Sequence, residues 1–252
     1  MSQPVPRVGH DVPGRSGAPL STGDEAGNRL AAAIRRISDV VVSQEVPGPE
    51  LALAAAQLAQ IAQGLEECAS PSTTSRIGAD LSGHPQDFFP NSPIIGYANP
   101  IAPPADVWAV EGEDGRPEVR GRVTFPSPYE GPPGCVHGGV IAELFDELMG
   151  VTNVVAGSPG MTGTLTVRYR KPTPLSAPLD LVARFTGSER RKTFTWAGIY
   201  HEGVLTAEAE GIFIGVQSTQ VQNILGANAE VFAKAANAAA AEDLGGPGGS
   251  AR

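Results

Sequence analysis

The stretch GCVHGGVIAELFDELMG, residues 134 to 150, places a histidine, two glycines and a lone aspartate in an otherwise oily run. His137, Gly138 and Gly139 fall where a helix begins, and Asp146 follows nine residues after the histidine. Amides at a helix start have no intrahelical acceptors and sit at the positive end of the helix dipole. Glycine there leaves them unobstructed, so this end can hold a developing oxyanion. Asp146 has the chemistry of a base or nucleophile, but at 1.5 Å per residue it stands about 13–14 Å along the axis from His137. A histidine–carboxylate dyad within one helix is therefore excluded. Two chains related by a two-fold axis, with these helices antiparallel, remove the difficulty, because the start of one helix then lies beside Asp146 of the other. Two plainer readings stay open: a glycine-rich start to a tightly packed helix, and an exposed aspartate on its polar edge.

Other chemical candidates are weaker. Cys135 lies two residues before His137, yet nothing else supports a nucleophile there, and a small buried thiol is the better reading. Glu143 and Glu147 share the helix sector of Asp146 and compete with it as the base. His10, His84 and His201 are scattered through arm, loop and turn with no spacing that makes a metal site, so no metal is expected.

The elements that must position these groups follow from periodicity. Val140, Leu144, Val151 and Val155 form one helical stripe, while Ile141, Phe145, Leu148 and Met149 fill much of the remainder. A helix apolar on most sides is buried on most sides. Strand-like runs surround it: DVWAVE and EVRGRVTF before, then TGTLTVRYR, LDLVARFT, TFTWAGIY and LTAEAEGIFIGV after. Leu165, Val167 and Tyr169 alternate with Thr164, Thr166 and Arg168, the period-2 pattern of a half-buried strand. GSERRK and HEG have hairpin length, so the last three strands should form an antiparallel meander. The fold class is α+β, an antiparallel sheet of about six strands curled round one long helix, over residues 105–216.

Ahead of this domain, residues 1–23 read as a disordered arm rich in Gly, Pro and Ser. Residues 24–104 hold a helical hairpin and a Pro-rich connection. The hairpin's stripes are Leu30, Ala33, Ile34, Ile37, Val40 and Val41, then Leu51, Ala55, Leu58, Ile61, Ala62 and Leu65. The connection is expected to wrap across a surface, anchored by Phe88, Phe89 and Ile94. Residues 217–252 read as an Ala-rich helix and a disordered tail.

Bulk properties narrow the function classes. The net charge of −9 argues against nucleic-acid binding. Residues 163–192 nevertheless carry seven basic side chains against two acidic ones, a local balance of +5. Such a zone on an acidic protein suits a small phosphorylated ligand, or is simply a solvated set of strand ends. Two cysteines without CxxC spacing, no secretory h-region and no apolar run long enough to span a bilayer make a cytoplasmic location the expectation.

The motifs GPPGCVHGGVIAELFDELMG, MTGTLTVRYRKPTPL and TAEAEGIFIGV together resemble the hotdog-fold acyl-CoA thioesterases. The likeness is to the PaaI-like branch that includes the mitochondrial long-chain enzymes, and it covers roughly residues 106–216. It implies that Asp146 acts as general base or nucleophile toward a thioester, with the Thr162 hydroxyl orienting water or carboxylate. It further implies that the Gly138 amide, with Gly139 beside it, polarises the carbonyl, that His137 buttresses the loop, and that the site is shared across a homodimer. Coenzyme A belongs to the substrate, so no cofactor is implied. Arg168, Arg170, Lys171, Arg190, Arg191 and Lys192 would meet its phosphates. The branch favours medium to long acyl chains. Gly131 departs from relatives that carry a side-chain amide six residues before the histidine. The leading alternative is a non-catalytic acyl-CoA-binding module or dimeric scaffold.

Overall fold

A computed structural model describes residues 22–70 and 85–215. Most of the expected N-terminal arm, part of the Pro-rich connection, and the Ala-rich C-terminal helix and tail lie outside these residues. Six strands form one sheet in the order β1-β2-β4-β5-β6-β3, every pairing antiparallel. They are β1 (Ala105–Glu111), β2 (Pro117–Val123), β3 (Gly160–Tyr169), β4 (Leu179–Glu189), β5 (Lys192–His201) and β6 (Val204–Gly215). The sheet curls round helix α4 (Gly138–Val155), and β4, β5 and β6 form the expected meander. This is the hotdog architecture.

The seat for α4 is written in small residues. Ala183, Ala197 and Ala209 face one another across β4, β5 and β6, all fully buried, so the helix axis can approach the sheet closely. Leu181 and Ile199 beside them, with Phe213 further along β6, close round the helix. Leu144, Phe145, Leu148 and Met149 fill this trough with no exposed surface. Glu143 remains exposed and Asp146 and Glu147 half-exposed, which is the polar edge expected of this helix. β3 is an edge strand that pairs only with β6, and most of its side chains are exposed.

The N-terminal helices depart from expectation. Helix α1 (Thr22–Ser43) and helix α2 (Gly48–Cys68) form, the second with Pro49 in its first turn. They do not pack as a hairpin: α2 buries none of its residues. Instead α1 docks on the body through Asn28, Ala31, Arg35 and Asp39. Arg35 donates to the Asn99 carbonyl at 2.8 Å, and Asp39 accepts the Ser127 amide at 3.0 Å. Hydrogen bonds to named backbone groups set this orientation, so the apolar stripe points outward, with Val41 55% exposed. In the connection, which holds the short helix α3 (Pro85–Phe88), Phe89 and Ile94 pack against the core as anchors, and the Phe88 side chain lies outside the described residues.

Because Phe145 is fully buried in the trough, Phe145→Ala should cost about 3–5 kcal/mol. A urea titration followed by tryptophan fluorescence measures it, and a midpoint within error of wild type would place this helix outside the core.

Candidate active site

The start of α4 is prepared by a tight loop. After the 3-10 turn Ser127–Tyr129, the chain folds back so that Cys135 N donates to Pro132 O at 2.8 Å, closing a turn over Pro133 and Gly134. Gly134 has φ +73°, which this turn type requires of its third residue, and proline suits the second. Glu130 accepts the Gly134 amide at 2.7 Å, Gly131 N donates to Cys135 O, and His137 N donates to Tyr129 O. A Cβ at Gly131 would lie 2.7 Å from His137 Cα. The loop therefore has no room for a side-chain amide at this position.

His137 caps the helix with its own ring: Nδ1 accepts the Gly139 amide at 3.0 Å. Gly139 is thereby committed to His137. Among the described residues nothing accepts from the Gly138 amide, the first of the helix. Tyr169, at the end of β3, lies over Gly138 and donates to its carbonyl at 2.7 Å. The alternation placed Tyr169 on the half-buried face with Leu165 and Val167, but it is 55% exposed and reaches the helix start instead.

Asp146 lies two turns further on. Thr162 donates to its Oδ1 at 2.6 Å, bringing together two of the residues singled out from the sequence. The β3–β6 register slips between Thr162 and Thr164, and a bulge of this kind re-aims the neighbouring side chain. Gly138 and Asp146 stay about 12 Å apart along the helix, so no single substrate carbonyl reaches both within one chain.

Asp146 also borders a cleft of about 430 Å³ that Glu147, Glu143 and several apolar side chains line. Glu147 accepts from Ser92 at 2.7 Å. Burial lifts its carboxyl above the ordinary 4.5, the Ser92 hydrogen bond opposes this, and the charge of Asp146 adds to it. The Ser92–Glu147 contact spans 55 positions of sequence, and no local pattern could announce it.

The basic residues divide into two groups. Arg168 pairs with Glu210 at 3.0 Å and Arg170 with Glu208 at 2.9 Å, both across to β6. Burial acts upward on Glu208, but Arg170 and Trp196 outweigh it and hold the carboxyl below its ordinary value. Lys171 is exposed just beyond. Arg184 is occupied by the buried Glu118 at 2.7 Å. Arg190, Arg191 and Lys192 are exposed at the β4–β5 turn and border a second cleft, with Arg191 donating to Gly215 O. Lys192 and Met161 both face Ile214 in the ladder, so this turn lies two strand spacings, about 10 Å, from the Thr162 end of β3. Among the described residues no cluster of three or more His, Cys, Asp or Glu could hold a metal, and no helix is long and apolar enough to cross a membrane. His10 and His84 lie outside those residues.

A hotdog sheet whose edge strand sets a threonine against a carboxylate of the central helix, with an open amide at the helix start, defines a class. Residues 133–210 match the family model described as thioesterase superfamily. A crystal structure titled as a thioesterase superfamily protein is 36% identical, covers 75% of this chain and 90% of its own, and superposes with TM-score 0.65. The chain belongs to the thioesterase superfamily. Among curated relatives, acyl-coenzyme A thioesterase THEM4 of Xenopus laevis is 39% identical over 92 residues, 35% of this chain and 41% of that protein. The THEM4 of Mus musculus is 36% identical over 87 residues, 34% and 37% of the two chains. The match thus spans about two-fifths of these relatives' length.

The raised pKa of Glu147 has a thermodynamic signature. The folded state holds this proton more tightly than the unfolded chain, so its contribution is full below about pH 4.5 and is lost as pH rises through the folded value. Glu147→Gln has no such loss. Urea midpoints taken between pH 4.5 and 7.5 should show the variant gaining on wild type as pH rises; a pH-independent difference contradicts this.

Proposed function

We propose that the chain hydrolyses acyl-coenzyme A thioesters with medium to long acyl groups, in sites shared between two copies. Asp146, steadied by Thr162, takes a proton from water as the water oxygen adds to the thioester carbonyl carbon. The resulting oxyanion accepts from the amide of the partner subunit's Gly138. Collapse restores the carbonyl and breaks the carbon–sulfur bond. The departing coenzyme A thiolate takes up the proton, and the free acid leaves. A thioester carbonyl is electrophilic enough for one carboxylate and one oxyanion site to suffice.

The observation that carries this reading is the 2.6 Å Thr162–Asp146 hydrogen bond on β3, the strand at the edge of the described sheet. The Gly138 amide stands open about 12 Å away along the same helix. Joining two chains along β3 with their central helices antiparallel would satisfy the sheet edge and bring each Asp146 toward the other chain's helix start. The same arrangement would gather the Arg190–Lys192 turn of one chain and the Lys171 end of its partner round one substrate, which suits the phosphates of coenzyme A. Arg168 and Arg170 would contribute only by sharing themselves with Glu210 and Glu208. The outward apolar stripes of α1 and α2 favour a second reading, a dimeric acyl-CoA-binding scaffold without catalysis.

Thiol release from palmitoyl-CoA, followed with a thiol-reactive dye, separates the two. Asp146→Asn should lower kcat by about 10²–10⁴. Thr162→Val should lower it about ten- to a hundredfold, the worth of one hydrogen bond to a charged group. Cys135→Ser should leave release in place. No release by wild type from acyl-CoAs of any length selects the scaffold.

A further inference from the structure

We propose that the connecting segment Ser92–Pro103 is the wall of the acyl-chain pocket, and that Glu147 is the positioning residue that latches this wall through Ser92. The inference rests on the thioesterase reading above and adds to it the determinant of chain length. The segment crosses the polar edge of α4 and is tied down from three elements. At one end the Ser92 hydroxyl donates to Glu147 Oε1 at 2.7 Å and accepts the amides of Ile94 and Ile95 at 3.1 and 3.2 Å. That uses its single proton and both lone pairs. At the other end Tyr129 donates to the Ile101 carbonyl at 2.7 Å, and Arg35 of α1 donates to the Asn99 carbonyl at 2.8 Å. Ile95 and Ala102 are buried beneath it, seating the backbone on the domain.

Between this segment and α4 runs the cleft of about 430 Å³, within the size range of small-molecule sites. Its apolar walls include Ile94, Ile101, Pro103, Phe125, Tyr129 and Val140, and the carboxylates of Glu143, Asp146 and Glu147 line it along α4. A hydrocarbon tail whose carbonyl lies at Asp146 meets these apolar walls, whereas an anionic tail would meet three carboxylates. If each carbon needs the ~30 Å³ that a water occupies in the liquid, a cleft of this size accepts a tail on the order of ten carbons. Glu147 is the one carboxylate of the three that is tied to the wall, so its charge is held on Ser92 rather than turned toward the tail. The family model begins at residue 133, so the segment lies ahead of the residues matched by it, and chain-length choice rests with the N-terminal connection.

The test is a profile of kcat/KM over butyryl-, octanoyl-, decanoyl- and palmitoyl-CoA. Ile101 is 66% exposed, so Ile101→Trp fills the cleft without entering the core. This variant should lower the decanoyl-to-butyryl ratio tenfold or more. Ser92→Ala and Glu147→Leu should lower the same ratio, while Ser92→Thr and Glu147→Gln, which keep the donor and the acceptor, should restore it. An active enzyme whose ratio is unmoved by Ile101→Trp overturns the pocket and leaves the thioesterase reading intact. If wild type hydrolyses no acyl-CoA, that reading falls, and the pocket is then judged by displacement of a fluorescent fatty acid by decanoate. Displacement by wild type that is lost in Ile101→Trp supports the pocket, and no displacement, or displacement equal in both, overturns it.

Discussion

The rise of one helix sets the terms for everything else in this molecule. Gly138 offers an open amide at the first position of α4, and Asp146 offers its carboxylate two turns on. Eight residues at 1.5 Å each keep them about 12 Å apart. No rotamer or loop movement closes that gap while the helix stays intact, and the trough packs the helix along its buried side. Buried Leu144, Phe145, Leu148 and Met149 bind it to the alanine row on β4, β5 and β6. The packing that stabilises the domain therefore also fixes the separation that its chemistry must bridge, and a second copy of the chain is the bridge proposed here.

Each end of the helix has its own supports. At the start, the Pro133–Gly134 turn sets the chain's direction, the His137 ring occupies the Gly139 amide, and Tyr169 holds the Gly138 carbonyl. Among the described residues the Gly138 amide is left without an acceptor. At Asp146, a bulge in β3 delivers Thr162, while Glu147 one residue along ties the connecting segment over the neighbouring cleft. Both sets of supports come from β3 and from the chain before the helix. The edge strand and the N-terminal connection thus border the candidate site as well as building the fold.

Much of this is legible in the sequence because it is periodic or local. The buried helix, the six strands and the meander follow from apolar spacing and short turns, and the Thr162–Asp146 pairing follows from family likeness of the motifs. What escapes is long-range and polar. Nothing near Ser92 announces Glu147, and nothing near Arg35 announces the Asn99 carbonyl, because such bonds depend on where distant segments cross. The apolar stripe of α1 misleads for the same reason. Periodicity identifies an amphipathic helix but not which face docks, and here Asn28, Ala31, Arg35 and Asp39 meet the body. Tyr169 likewise leaves its alternation to reach the helix start, where its hydroxyl finds a carbonyl.

Mixed dimers test the shared site most directly. Gly138→Pro removes the amide: proline is favoured at the first helical position, and the extended ψ of 132° at His137 suits a following proline. The Tyr169 hydroxyl, 3.2 Å from the added Cβ, has to give by a few tenths of an ångström. Asp146→Asn removes only the carboxylate. Each variant alone should be inactive toward palmitoyl-CoA. Unfolded together in equal amounts and refolded, half the dimers are mixed, and each holds one site with both groups intact. Activity should return to about a quarter of wild type, as two-fold symmetry requires. A mixture as inactive as its components, despite mixed dimers verified by mass spectrometry, contradicts a site built from two chains.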